Sequence, residues 1–446
     1  MPPNHLLRNL LAESGWTGQK LADHTNRLGA EAGLRLRYDR TSVAHWMSGT
    51  RPLPPVPELV AEALTRRLGR RVTAAATGLE RGATAAAPPW WRTDATAELT
   101  NLCRDGAATR RTLSGCVFSL AALSVPGWAD LASVVGAVRP AENEGKVERA
   151  ELDAAKAMLE LFSTADLTFG GGHVRPALAR YLHTTIAPQL RLEAAPAVRT
   201  DMFSTAAQLC YLCGFLCFDD ELHGAAQRYY LIAARLSRAA GDAVHYAISL
   251  RALSVQARML GHRMAAVDLA TTAARALPRS APALTRAFLV GQVAAAEAAA
   301  DDHRHAVTHL RAAENYLDHA RDTASPVGTY HPAALSHHHA AVRACLGERP
   351  AAVSALTRSL RHRPPTERRA RTITLARLAE LHLDGGELDR ACQTWNQFLD
   401  DYPHLRSQRA DTALETLRAR LRPHVAYPPA RSVTHKAAEV SLAKAA

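Results

Sequence analysis

Three stretches of this chain repeat one another at a fixed interval, and that interval decides most of what the chain can fold into. "GAAQRYYLIAARL" from Gly224, "MAAVDLATTAARA" from Met264 and "RHAVTHLRAAENY" from Arg304 align at a period of forty residues. In register stand Ala226, Ala266 and Ala306, then Tyr230, Ala270 and Leu310, then Ala233, Ala273 and Ala313. Twelve residues ahead of each first alanine sits another small residue, Gly214, Ser254 and Ala294. Two further copies centre on Ala352 with Leu356, and on Ala391 with Trp395 and Phe398. Small residues belong where paired helices cross, because a larger side chain would hold the backbones apart. A helix pair of this size cannot bury its apolar face alone, so the copies are expected to stack into a curved α-solenoid.

The last copy, "LARLAELHLDGGELDRACQTWNQFLDDYP" from Leu375, resembles a tetratricopeptide repeat. Leu375, Leu378 and Ala379 match its first helix, Ala391, Trp395 and Phe398 its second, and Pro403 its close. The resemblance covers roughly residues 200 to 405, and the other copies are more degenerate and longer than the usual unit. Residues 146–420 are assigned to a tetratricopeptide-like α-solenoid, with a capping helix over 406–420 and a disordered tail over 421–446.

Composition agrees with helices. Aromatic residues make up 5% of the 446 residues, and alanine is abundant, which favours closely packed helices over sheets that need β-branched and aromatic side chains. The fold class expected is all-α, in two or three domains. Lys and Arg number 54 against 42 Asp and Glu, a net charge of +12. That excess suits an anionic partner without identifying it, and arginine-rich, alanine-rich composition also follows from a GC-rich genome. Residues 1–73 hold eleven basic and six acidic residues, so this short segment carries +5 by itself.

Seven cysteines without a framework spacing indicate free thiols and a reducing, cytoplasmic setting. "RRTLSGCVFSLAALSVP" from Arg110 is similar to an export signal, with twin arginines and a lipobox-like "LSGC". It lies more than a hundred residues into the chain, its cysteine precedes the apolar run, and Gly115, Pro126 and Gly127 interrupt it. A buried core helix over 112–125 is expected instead, with no membrane partner.

The first 73 residues read as four short helices. Asn4 caps the first and Gly15 stops it; Thr17 caps the second; Asp39 caps a third that carries Val43 and Trp46 and ends at Gly49; "ELVAEALTRRLG" forms a fourth, closed by Gly69. On the third helix Val43 and Trp46 face the core, so Arg40, Thr41, Ser42 and His45 project from the other side. Such a face offers arginine to guanine, hydroxyls to bases or phosphates, and an imidazole to either. Thr17, Gln19, Arg37 and Arg51 are placed to hold phosphates around it. Residues 74–89, alanine-rich with no buried face, read as a linker, and 90–145 as a helical connector.

"TGQKLADHTNRL" followed by "DRTSVAHWMSGTRPLP" resembles an Xre-type helix-turn-helix of the lambda-repressor kind. Leu21 and Ala22 match the core of its first motif helix, Val43 and Trp46 that of its recognition helix. The family's turn has three or four residues, whereas ten, "GAEAGLRLRY", separate Leu28 from Asp39 here. Such insertions, with the alternating "LRLRYD", are similar to those of actinobacterial regulators that join this head to a tetratricopeptide-like tail, a group including streptomycete repressors of differentiation and antibiotic production. The resemblance implies a transcriptional regulator that binds double-stranded DNA as a homodimer and senses a peptide, protein or small-molecule effector on its solenoid. The alternative is a protein-interaction scaffold with a vestigial head.

Nothing in the sequence nominates an enzyme. "CYLCGFLC" places Cys210, Cys213 and Cys217 on one helical face near His223, but these cysteines occupy the repeat positions of Leu250, Leu253 and Ala257, which makes them packing residues rather than metal ligands. "HHH" at 337–339 spreads its rings about 100° apart on a helix and cannot meet one ion, so packing or solvated histidines are expected. "FGGGHVRP" from Phe169 lacks the lysine and hydroxyl of a phosphate loop and reads as a turn before a helix near Pro176. No paired carboxylates, nucleophile elbow or metal triad appears, and no cofactor is expected.

Overall fold

A computed structural model of the protein describes residues 2–80, 93–106, 116–120, 123, 127–129, 145–320 and 330–445. The fold is all-α. Four helices build the head: α1 His5–Ser14, α2 Gly18–Glu31, α3 Arg40–Met47 and α4 Val56–Leu68. Their ends follow from the capping residues. The Asn4 and Thr17 side chains accept from Leu7 N and Lys20 N, Asp39 makes a capping box with Ser42, and Gly15 and Gly69 take the left-handed conformation that closes α1 and α4. Leu7, Leu21, Val43, Trp46, Leu59 and Leu64 meet in one core.

That core continues past residue 73. Ala75–Thr77 forms a 3-10 turn, the Asn4 side chain donates to Thr77 O (2.9 Å), and Leu79 is fully buried among the head leucines. The expected linker over 74–89 therefore starts later. A lone leucine in an Ala/Gly/Thr run carries no periodicity, yet the core beside α1 takes it. Residues 81–92 lie outside the described residues.

The second part opens with α5 Ala95–Gly106, a parallel pairing of Lys146–Val147 with Glu193–Ala194, and helices α6 Arg149–Phe169 and α7 Gly171–Tyr181. Helix α7 starts at Gly171, not near Pro176, which sits inside it. Glycine is needed there: a Cβ on Gly170 would stand 2.7 Å from the Arg406 carbonyl oxygen, and Gly170 has φ +84°.

Five helix pairs follow, one for each copy of the repeat: α8 Pro196–Asp219 with α9 His223–Ala239, α10 Ala243–Met259 with α11 Arg263–Ala276, α12 Ala283–Ala299 with α13 His303–Asp318, α14 Pro332–Cys345 with α15 Arg349–His362, and α16 Arg368–Asp384 with α17 Leu388–Asp401. Ala226, Ala266, Ala306, Ala352 and Ala391 are all fully buried at the crossings. A Cβ on Gly214 would come within 2.8 Å of the Tyr230 ring, and Ser254 at the equivalent place donates to Ala266 O (2.7 Å). The apolar helix α8 is the one described helix long and apolar enough to cross a membrane, and 78% of its apolar window is buried inside the fold. Cys210, Cys213 and Cys217 on it are fully buried core residues, and burial with a Cys217 hydrogen bond holds the Cys213 thiol well above its ordinary pKa.

The solenoid closes on its own beginning. Arg369 of α16 reaches Asp166 of α6 (3.0 Å), Arg406 N donates to Phe169 O (2.9 Å), and Thr412 donates to Glu221 (3.0 Å). The capping helix is α18 Gln408–Leu421. The expected disordered tail is instead a further helix, α19 Pro428–Ala445. Ala430, Val433 and Ala437, spaced three and four residues apart, are fully buried against α17 and α18, and Lys436 and Lys444 pair with Asp400 and Asp411.

Residues 116–120 contain no α-helix, so the core helix expected over 112–125 is not formed there; Arg110, Arg111 and most of that segment lie outside the described residues. Residues 116–120 form an extended strap between head and solenoid. The Gln227 side chain accepts from Ser119 N (3.0 Å) and donates to Ser119 O (2.9 Å), replacing the bonds a helix would have supplied. Gly224 allows the strap to approach, since a Cβ would lie 1.8 Å from the Cys116 carbonyl oxygen.

Candidate nucleic-acid interface

Helix α3 is held by two buried side chains and by polar clamps at its start. Val43 is fully buried and Trp46 is 3% exposed, with Tyr38 standing edge-on to the Trp46 ring at 5.0 Å. Asn26 of α2 pins the end of the insert with two hydrogen bonds, Asn26 Nδ2 to Tyr38 O (2.8 Å) and Tyr38 N to Asn26 Oδ1 (2.9 Å). The insert itself alternates. Leu34, Leu36 and Tyr38 turn inward while Arg35 and Arg37 are exposed, and Leu36 packs so tightly on α2 that a Cβ on Gly29 would sit 2.5 Å from it.

The eight residues singled out in the sequence divide into two groups. Arg40, Thr41 and His45 are exposed on α3, and Arg37 and Arg51 are exposed on the segments that enter and leave it. The other three have structural work. Thr17 caps α2 (Lys20 N, 3.3 Å). Gln19 accepts from Arg40 N (3.2 Å) and donates to Asp23 (2.8 Å), joining the start of α3 to α2. Ser42 is half-buried and donates its hydroxyl to Asp39 (2.9 Å) in the capping box. Those bonds also hold the Asp39 carboxyl below its ordinary pKa.

Ala44 and Ser48 extend the exposed face of α3, and Arg35 stands beside Arg37. None of the three was singled out in the sequence, although the alternation in "LRLRYD" already places Arg35 on the side of Arg37. The arginines of the head are used differently by position. Arg66 bridges Glu31 and Glu62 (2.9 Å each), Arg67 donates to Ser14 O (2.9 Å) and Arg70 pairs with Glu13. Arg35, Arg37, Arg40 and Arg51 form no ion pair among the described residues. Arg8, Arg27 and Arg71 are also exposed, so it is their grouping around α3 that distinguishes the four.

The solenoid meets the head away from this face. His262 Nε2 lies 2.6 Å from Glu62 Oε1 of α4, Phe118 of the strap stacks on the His262 ring, and Val117 packs on the head core. The arrangement leaves a short helix with small and cationic side chains outward, firmly seated and uncovered. Among the described residues no group of His, Cys, Asp or Glu is placed to hold a metal.

The SP15 N-terminal domain family matches residues 7–80, the span over which the head core runs from Leu7 to Leu79. No curated protein matches the chain.

Proposed function

We propose that the protein is a cytoplasmic, sequence-specific DNA-binding transcriptional regulator, a repressor of developmental or secondary-metabolic genes, whose α3 enters the major groove. The observation that carries this reading is the outward face of α3: Arg40, Thr41, Ala44 and His45 exposed together over the buried Val43 and Trp46, with Arg35, Arg37 and Arg51, which form no ion pair among the described residues, around them. A helix about 10–12 Å across fits the major groove, its small residues allow close approach, and flanking arginines reach phosphates. The Xre-type resemblance of the head supports the same docking mode. One head of this size makes few base contacts, so the reading includes a dimer that places two heads on a repeated or palindromic site.

Duplexes selected by the purified protein from a random pool, and compared with genomic sites recovered by crosslinking, test this. Replacing Arg40 and His45 together by alanine is expected to weaken binding to the selected duplex roughly ten- to hundredfold. The thermal midpoint should stay close to that of the parent, because both side chains are exposed and such changes stay within about 0.5 kcal/mol. Undiminished affinity in the double variant removes α3 from the interface.

A further inference from the structure

Closure of the solenoid on α6 forms an open-mouthed cavity of about 340 Å³, within the usual size of a small-molecule site. Four arginines, Arg251, Arg363, Arg369 and Arg409, line it against two carboxylates, Asp166 and Glu367. Both carboxylates are already engaged: Asp166 with Arg369 (3.0 Å), and Glu367 with Arg363 (2.6 Å) and His331 (2.8 Å). Neither Arg251 nor Arg409 forms an ion pair among the described residues; Arg251 has only tyrosine hydroxyls as acidic neighbours, while Arg409 feels the charges of Asp219 and Glu221 from beyond contact.

Both are partly buried, and desolvation lowers their pKa, although a guanidinium remains charged. Arg251 stacks 3.7 Å over the Phe288 ring and hydrogen-bonds the Tyr211 hydroxyl, while Arg409 lies 5.2 Å over Phe218. Stacking fixes the plane of a guanidinium and leaves its N–H edge to an incoming group. Several buried donors have no acceptor, among them Nε of Arg251, Arg363 and Arg369. His337 and His338 add no charge at neutral pH, since burial pushes His337 down to about 3 and holds His338 well below its ordinary value. Aromatic and aliphatic side chains, Tyr211, Phe215, Phe288, Tyr330 and Ile373, supply the remaining wall.

A partly buried guanidinium that forms no ion pair favours an incoming anion, and two of them line one cavity walled by aromatic rings. We propose that this cavity is the binding site for a small organic anion with a planar apolar body: its acidic group would lie against Arg251 and Arg409, and its rings against Phe288 and Tyr330. That such an anion would be the effector of a regulator rests on the function proposed above; the site itself does not.

Two fluorescent probes that share a ring system test it on the full-length chain without DNA, so that failure concerns the cavity and not DNA binding. 1-Anilinonaphthalene-8-sulfonate carries a sulfonate, and N-phenyl-1-naphthylamine does not. The sulfonate probe is expected to bind at one equivalent and at least tenfold more tightly than the neutral one. Arg251→Met and Arg409→Met should each bring that ratio close to one, with a largely unchanged thermal midpoint, because neither arginine forms an ion pair among the described residues. Equal affinity of the two probes in the parent protein overturns the proposal, and needs no variant to fold. So does a sulfonate preference that survives both substitutions, or a midpoint that falls in both, which would make the arginines supports of the fold.

Discussion

Replacing Trp46 by alanine should unfold the head while leaving the solenoid standing. Trp46 is 3% exposed, packs edge-on against Tyr38 and joins the cluster of Leu7, Leu21, Val43 and Leu64. Truncating a buried tryptophan costs about 3–5 kcal/mol, of which the aromatic pair contributes about 0.5–1.5 kcal/mol. A domain of this length has only about 4–12 kcal/mol in total. The loss therefore takes about a quarter or more of the head's stability, and α3 loses its seat because Val43 alone cannot hold a helix of eight residues. Hydrogen exchange resolved by segment is the measurement. Protection over residues 5–79 should fall by two or more orders of magnitude, with protection in α8 to α19 unchanged. Equal loss in both parts would mean that head and solenoid unfold as one body, and no loss would mean that Trp46 is not the anchor of α3.

Glu62→Ala is expected to have a comparable effect through a different route, by releasing the head from the solenoid. Glu62 and His262 are each 3% exposed, and one carboxylate accepts from His262 (2.6 Å), Arg66 (2.9 Å) and Leu120 N (3.4 Å). It thus ties α4, the strap and the loop between α10 and α11 at a single point. Removing one member of a buried, hydrogen-bonded set costs about 3–5 kcal/mol, because its partners stay buried without it. Arg66 keeps Glu31, so the penalty falls on His262 and the strap. Small-angle scattering should show a larger radius of gyration for Glu62→Ala, Glu62→Gln should lie between it and the parent, and a double-mutant cycle with His262→Ala should give a coupling of about 0.5–3 kcal/mol. Additive single effects and an unchanged radius would show that the pair does not hold the two parts together.

Local signals in the sequence carried most of the elements. Asn4, Gly15, Thr17, Asp39 and Gly69 sit at the helix ends where their chemistry puts them, and each of the five small-residue positions of the repeat is buried at a crossing. What local signals lack is the energy of distant contacts. Leu79 has no apolar neighbour at helical spacing, yet it fills the head core. The C-terminal helix rests on two alanines and a valine, too weak a stripe to stand out by itself, and is secured by packing on α17 and α18 and by lysine pairs to Asp400 and Asp411. Ser119 is extended because a glutamine 108 residues away satisfies both of its backbone groups.

The candidate face was legible in part for the same reason. Buried Val43 and Trp46 set the outward direction of Arg40, Thr41 and His45 from spacing alone. Ser42 engages its hydroxyl in the capping box with Asp39 as well, a competition that residue type does not decide. The cavity between α6 and the later solenoid helices had no sequence signature at all. Asp166 and Arg369 are 203 residues apart, and only closure of the solenoid brings their surroundings together.

DNA reading by α3 meets its most direct test in the affinity of the purified protein for its selected duplex as salt rises from about 50 to 200 mM. Two heads contacting six or more phosphates should lose roughly a thousandfold or more in affinity over that range, and still prefer the selected duplex to scrambled DNA at each salt concentration. A binding constant that barely moves with salt, or equal binding to scrambled DNA throughout, would contradict it.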